Sequence, residues 1–160
     1  MTAVKLICVG KMKEKFFIDA FREYEKRLSG YCSFSCVELS EQRLSDDPSP
    51  AEIEAALDRE AAEIIKNIPK DALVVALCIE GTEISSPALA EKLRSWENSG
   101  RSRLCFVIGS SCGLSERVKS LAALRLSMSP MTFPHHLARV MLAEQLYRAY
   151  KINEGSRYHK

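Results

Sequence analysis

Apolar runs and helical stripes alternate along the whole chain. Val4 to Val9 is a short apolar run closed by Gly10, which predicts a strand. From Lys13 onward Phe17, Phe21, Tyr24 and Leu28 recur at the spacing of one helix face, and Ser29-Gly30 ends that helix. Phe34 to Leu39 predicts a second strand, its alternation broken at Cys36 and Val37, and residues 40–50 read as loop. Ser49-Pro50-Ala51-Glu52 is a capping box with proline at the first helical position. The helix it opens carries one apolar stripe, Ile53, Leu57, Ile64 and Ile68, and stops at Pro69.

Ala72 to Ile79 is apolar throughout, the pattern of a strand buried on both faces. Ser86-Pro87 starts a helix through Trp96, and Leu104 to Ile108 is the fourth strand. Ser115 caps a short helix to Ala122, Leu124 to Met128 is a fifth strand, and Pro134 opens a last helix reaching about Tyr150. Continuously apolar strands between helices belong to parallel sheets covered on both faces, so the predicted class is α/β. At 160 residues the chain is expected to form one domain, residues 1–160. The last helix carries Leu137, Val140, Met141, Leu142, Leu146, Tyr147 and Tyr150, more than one stripe, and predicts a second burial partner. Another copy of the chain is the expected one, because two-fold dimers are the commonest oligomers.

Composition changes this picture little. The net charge is +2, no single-sign block stands out, and charge alone names no partner. Cys8, Cys32, Cys36, Cys78, Cys105 and Cys112 are expected to be reduced. Cys32 and Cys36 lack the further ligands of a metal site, so no metal is expected. No apolar stretch approaches the roughly 20 residues of a membrane span, and the N-terminus does not read as a signal peptide; a cytoplasmic location without membrane contact is expected.

Ligands of parallel α/β sheets gather at the carboxyl ends of strands. Three exits therefore matter here: Ile79-Glu80-Gly81, Gly109 to Gly113, and Met128 to Pro134. Gly109 and Gly113 bracket Ser110, Ser111 and Cys112 and permit close backbone approach, though plain turns use glycine too. The spacing fits neither a dinucleotide fingerprint nor a phosphate loop. Pro130 and Pro134 stiffen a loop holding Ser129, Met131, Thr132 and Phe133. His135 and His136 follow as a possible base or as capping and packing groups; spacing favours packing. The tail Gly155 to Lys160 ends in Arg157, Tyr158, His159 and Lys160, which can stack on bases and pair with phosphates, or fray in solvent.

With these loops placed, the chain resembles the bacterial large-subunit ribosomal RNA pseudouridine N3-methyltransferases of SPOUT fold along nearly its whole length. Val9-Gly10-Lys11, Lys13-Glu14-Lys15, Glu23 to Leu28, Phe106-Val107-Ile108-Gly109 and Gly113-Leu114 look like that family's first and central blocks. Met131-Thr132-Phe133-Pro134-His135, Arg139-Val140, Glu144-Gln145, Tyr147-Arg148-Ala149 and Tyr158-His159-Lys160 are its more specific part. The resemblance implies a deep carboxyl-terminal trefoil knot, a homodimer, and S-adenosyl-L-methionine held by Leu77, Gly109, Met128, Ser129, Pro130, Met131, Thr132 and Phe133. It also implies methylation of a pseudouridine at N3 in 23S ribosomal RNA of the assembled ribosome. Ser110 departs from the family, many members of which have a second glycine there.

Methyl transfer from a sulfonium requires alignment and exclusion of water rather than a metal. His135 and Arg139 are the acceptor-side candidates near the cofactor loop, with Tyr158 and His159 orienting the base. Two other readings remain open. Gly109-Ser110-Ser111-Cys112-Gly113 fits G-x-S-x-G, making Ser111 a hydrolase nucleophile, although no Asp follows it. A non-catalytic RNA-binding module would also suit the tail.

Overall fold

A computed structural model describes Met1–Lys160. Its elements are β1 (Ala3–Val9), α1 (Lys15–Leu28), β2 (Ser33–Leu39), α2 (Pro50–Asn67), β3 (Leu73–Glu83), α3 (Ser86–Asn98), β4 (Arg103–Ile108), α4 (Glu116–Lys119), β5 (Leu124–Ser127) and α5 (His135–Asn153). The strands form one sheet in the order β2-β1-β4-β3-β5, and every pairing is parallel. The predicted α/β class is the observed one. β5 doubles back past β3 to the far edge after β4 has paired on the inner side.

Alternation along the buried strands sends side chains into two cores. Val4, Leu6, Cys8, Val75, Leu104, Phe106 and Ile108 pack with Phe21 and Leu28 of α1, Leu89 and Leu93 of α3, and Leu142 and Leu146 of α5. Ile7, Val9, Val74, Ala76, Cys105 and Val107 pack on the other face with Ala61 and Ile64 of α2 and Val118 of α4. The breadth of the apolar surface on α5 is therefore largely taken up within the chain, between α1, α3 and the sheet. No helix is long and apolar enough to cross a membrane.

The capping box forms as read: Ser49 Oγ accepts from the Glu52 amide and the Ser49 amide donates to the Glu52 carboxylate at 2.7 Å. α3 is capped by Ser85, one residue earlier than expected, which frees the Ser86 hydroxyl to donate to Gln145 of α5 at 2.6 Å. α4 is shorter than predicted, and α5 continues to Asn153. β3 outruns its apolar stretch, because pairing with β5 resumes at Thr82 and Glu83 beyond a bulge.

Candidate active site

The carboxyl ends of β3, β4 and β5 open onto one cavity of about 660 Å³, within the usual size range of small-molecule sites. Leu77 to Glu80, Ile108 to Leu114, and Met128, Ser129, Met131, Thr132, Phe133 and Pro134 line it, with His135 and Ala138 of α5. Every predicted cofactor contact lies on this wall except Pro130, which is exposed and outside the lining. Pro130 sits between the lining residues Ser129 and Met131 and stiffens the loop that carries them.

Local backbone rules build each wall. Leu77 and Thr82 both pair with Leu126, so residues 78–81 bulge out of the ladder toward the cavity. The bulge needs Gly81, where a Cβ would stand 2.6 Å from the Arg125 carbonyl oxygen. It presents Glu80, which is ion-paired with Lys119; that hydrogen bond holds the Glu80 carboxyl below its ordinary range. Glu80 was picked out in the sequence only as part of the exit Ile79-Glu80-Gly81, and Lys119 was not, because a lone charge carries no distinguishing spacing.

In the glycine loop a Cβ on Gly109 would overlap the Gly113 carbonyl. Gly109 is thus demanded by the loop folding on itself, through the Ser110–Gly113 bridge and the Gly113 amide donating to the Ser110 carbonyl at 2.9 Å. The Ser110 hydroxyl donates to buried Glu60 at 2.8 Å, so the second-glycine position is anchored to α2. Ser111 donates through its hydroxyl to Glu41 at 2.8 Å and through its amide to the same oxygen at 3.3 Å. A hydrolase nucleophile needs an imidazole on that hydroxyl. Here a carboxylate holds it, and the G-x-S-x-G reading loses its geometry.

His135 lines the cavity and abuts β1: a Cβ on Gly10 would lie 3.0 Å from its Nε2. Burial, then neighbouring His136, pushes the His135 pKa down, so the ring is neutral at pH 7. His136 lies with Nδ1 3.6 Å from Glu14, while its Nε2 is buried without a partner. Arg139 does not face the cavity. It is 2% exposed, donating to Glu38 at 2.6 Å and to the Gly10 carbonyl at 2.9 Å, with Nε unpartnered. In this structure Arg139 braces α5, β2 and the β1 exit.

Burial alone would raise the Glu38 carboxyl, but the Met12 amide and the Arg139 guanidinium outweigh it and hold the group low. A carboxyl depressed in the fold stabilises above its unfolded pKa and loses that contribution as pH falls through the folded value. Glu38→Gln is expected to be about 1–2 kcal/mol less stable than the parent at pH 7, allowing for solvent screening. Urea unfolding should show the gap closing below about pH 4, near the ordinary glutamate range.

The tail is neither frayed nor at the cavity. The Tyr158 hydroxyl donates to Glu144 at 3.1 Å, and Arg148 holds the same carboxylate at 2.5 Å. Arg148 also lies 4.9 Å over the Tyr158 ring and 3.3 Å from His159 Nδ1, with Tyr147 edge-on to Tyr158 at 5.0 Å. Glu144 and Arg148 lie about 14–20 Å beyond His135 along the axis, at roughly 1.5 Å per residue. The predicted catalytic residues thus separate: His135 at the cavity, Arg139 behind it on Glu38 and Gly10, and Tyr158 with His159 beyond the end of α5, packed against its far turns.

A family profile described as "Predicted SPOUT methyltransferase" matches residues 2–159. The chain belongs to the SPOUT methyltransferases. It is 43% identical over 157 residues to a protein of Clostridioides difficile (strain 630) and 44% identical to one of Clostridium novyi (strain NT). Both are named "Ribosomal RNA large subunit methyltransferase H", and each match covers 98% of this chain and 99% of the relative. Among solved structures, "Probable Methyltransferase from Bordetella pertussis Tohama I" matches with a TM-score of 0.54 at 17% identity, over 92% of this chain and 96% of that one, and shares the fold.

S-adenosylmethionine is the methyl donor of SPOUT methyltransferases, and the cavity fits it. Leu77, Ile108, Leu114, Leu126 and Phe133 supply apolar wall for an adenine ring. Ser129 and Thr132 supply hydroxyls for a ribose and an amino-acid group, while Ser110, Ser111 and Glu80 are held by Glu60, Glu41 and Lys119 and shape the wall.

Proposed function

We propose that this SPOUT methyltransferase, a single domain of residues 1–160, methylates N3 of a pseudouridine in 23S ribosomal RNA of the assembled ribosome and acts as a homodimer. The observation that carries the reading is the convergence of three strand exits on one cavity, in a chain whose relatives are named for the large-subunit RNA. The carboxyl-terminal trefoil knot implied by the resemblance belongs to the same proposal, supported by the doubling back of β5 past β3.

Bound S-adenosylmethionine supplies an electrophilic methyl group. The chain's own work is then to position, exclude water and manage one proton. The glycine loop and the bulge after Leu77 hold fixed backbone against the cavity. Met131, 73% exposed at its mouth, offers apolar cover to an incoming base. Neutral His135 can accept the N3 proton. Tyr158, with its phenol pushed up by burial and then by Glu144, stays protonated and serves in stacking and hydrogen bonding. Arg148 supplies a cationic group that favours the N3 anion. Because the tail docks far along its own α5, a second copy is the route by which Tyr158 and His159 reach a cavity.

Alanine at Tyr158 and His159 together should lower single-turnover methylation of ribosomes by about 100-fold, the size expected when acceptor positioning is lost. S-adenosylmethionine affinity should stay unchanged. Unaltered methylation would remove the tail from the mechanism. Mixing this double variant with a cavity-defective variant should restore activity if the site is shared between two copies, and a failure to restore it would sink the dimer reading.

A further inference from the structure

We infer that the β1–α1 loop, Gly10 to Glu14, is a rigid docking edge for the phosphate backbone of the RNA, with Lys11 and Lys13 as its contacts. The inference rests on the proposed RNA substrate and adds a surface to it. The loop leaves β1 at the carboxyl edge of the sheet, the edge that carries the cofactor cavity, and Gly10 abuts the cavity residue His135.

Connecting loops are ordinarily mobile, but this one is tied at alternate residues. The Gly10 amide donates to the Leu39 carbonyl at 2.7 Å, and its carbonyl accepts from Arg139 at 2.9 Å. The Met12 amide donates to Glu38 at 2.8 Å, and the Met12 side chain is buried. Lys11 and Lys13, on the intervening positions, are exposed. A loop fixed before binding loses little conformational entropy when a ligand docks.

The charges around the loop leave these two ammonium groups free. Glu38 is engaged by Arg139, Glu41 by Ser111, and Asp19 by Lys15, while Glu14 lies 3.6 Å from His136. Lys11 is close enough to Glu38 to help lower its carboxyl, yet neither Lys11 nor Lys13 forms an ion pair. Two compact cations without acid partners, held on fixed backbone beside the cavity, suit the point charges of a phosphodiester chain. An acidic protein is the competing partner, and the exposed Phe16, Ile79 and Met131 at this edge are apolar side chains it could use; the response of ribosome methylation to the lysine substitutions separates the two.

The test measures methylation of ribosomes lacking the modification, across a salt series, for the full-length parent and for Lys11→Gln/Lys13→Gln. The double variant should raise KM for ribosomes about tenfold and flatten the log–log salt dependence by about 1.5, with two phosphate contacts removed. Its kcat at saturating ribosomes and its affinity for S-adenosylmethionine should match the parent. Lys70→Gln, an exposed lysine in the loop leading into β3 at the opposite edge, should leave all values unchanged. An unchanged KM and salt slope in the double variant overturns the inference, the acidic-protein case included, and so does a loss of cofactor affinity. Failure of the parent itself to methylate ribosomes would overturn the RNA reading beneath it, a result separable from either.

Discussion

Gly109→Ala should reduce affinity for S-adenosylmethionine by at least about 100-fold, roughly 2.7 kcal/mol, while the chain remains folded. The methyl group would overlap the Gly113 carbonyl and stand 3.0 Å from Leu114, both parts of the same loop. The loop relieves that clash only by opening its Ser110–Gly113 bridge, which also pulls Ser110 from Glu60 and Ser111 from Glu41. Both anchors set the cavity wall, so the cost falls on the ligand more than on the sheet. Gly113→Ala is the informative contrast. Gly113 has φ +86° but open space around its Cβ position, so it should cost about 1–2 kcal/mol of backbone strain and much less affinity. Titration calorimetry separates the two, and near-parental binding by Gly109→Ala would mean that this wall does not hold the cofactor.

The three strand exits were legible because short apolar runs such as Ala72 to Ile79 and Leu104 to Ile108, set between helical stripes, suit doubly buried parallel strands, whose carboxyl ends are where ligands sit. The extension of β3 to Glu83 was not legible. Its last residues are polar, and only the partner strand, more than 40 residues away, restores their pairing. Glycine at 109 was visible as permissive backbone, yet its reason is contact with Gly113 rather than with a ligand. Arg139 shows the limit most plainly. Its place one turn after His135 suggests a common site, but the partner that turns it inward is Glu38, separated by 101 residues, and no local pattern encodes that pairing. The tail residues were found by their chemistry, and their docking on Glu144 and Arg148, only 14 and 11 residues back, depends on the chain turning back at Gly155, φ +77°, rather than on spacing along a helix.

Arg139→Met should lower the free energy of unfolding by about 3 kcal/mol, the lower end for breaking a buried pair, since Glu38 can partly rehydrate. For a chain of this length that corresponds to a fall in Tm of about 6–12 °C. The loss has two sources: the Gly10 carbonyl and the Glu38 carboxylate lose their donor together. Arg139→Lys should recover only part of it, because one ammonium cannot reproduce the two directed bonds of the guanidinium. The lysine variant also decides what Arg139 does. A brace predicts a lowered Tm with kcat retained well below the melting range; an acceptor-side group predicts an intact Tm and a collapsed kcat. Burial at 2% with both bonded partners inside the chain argues for the first outcome.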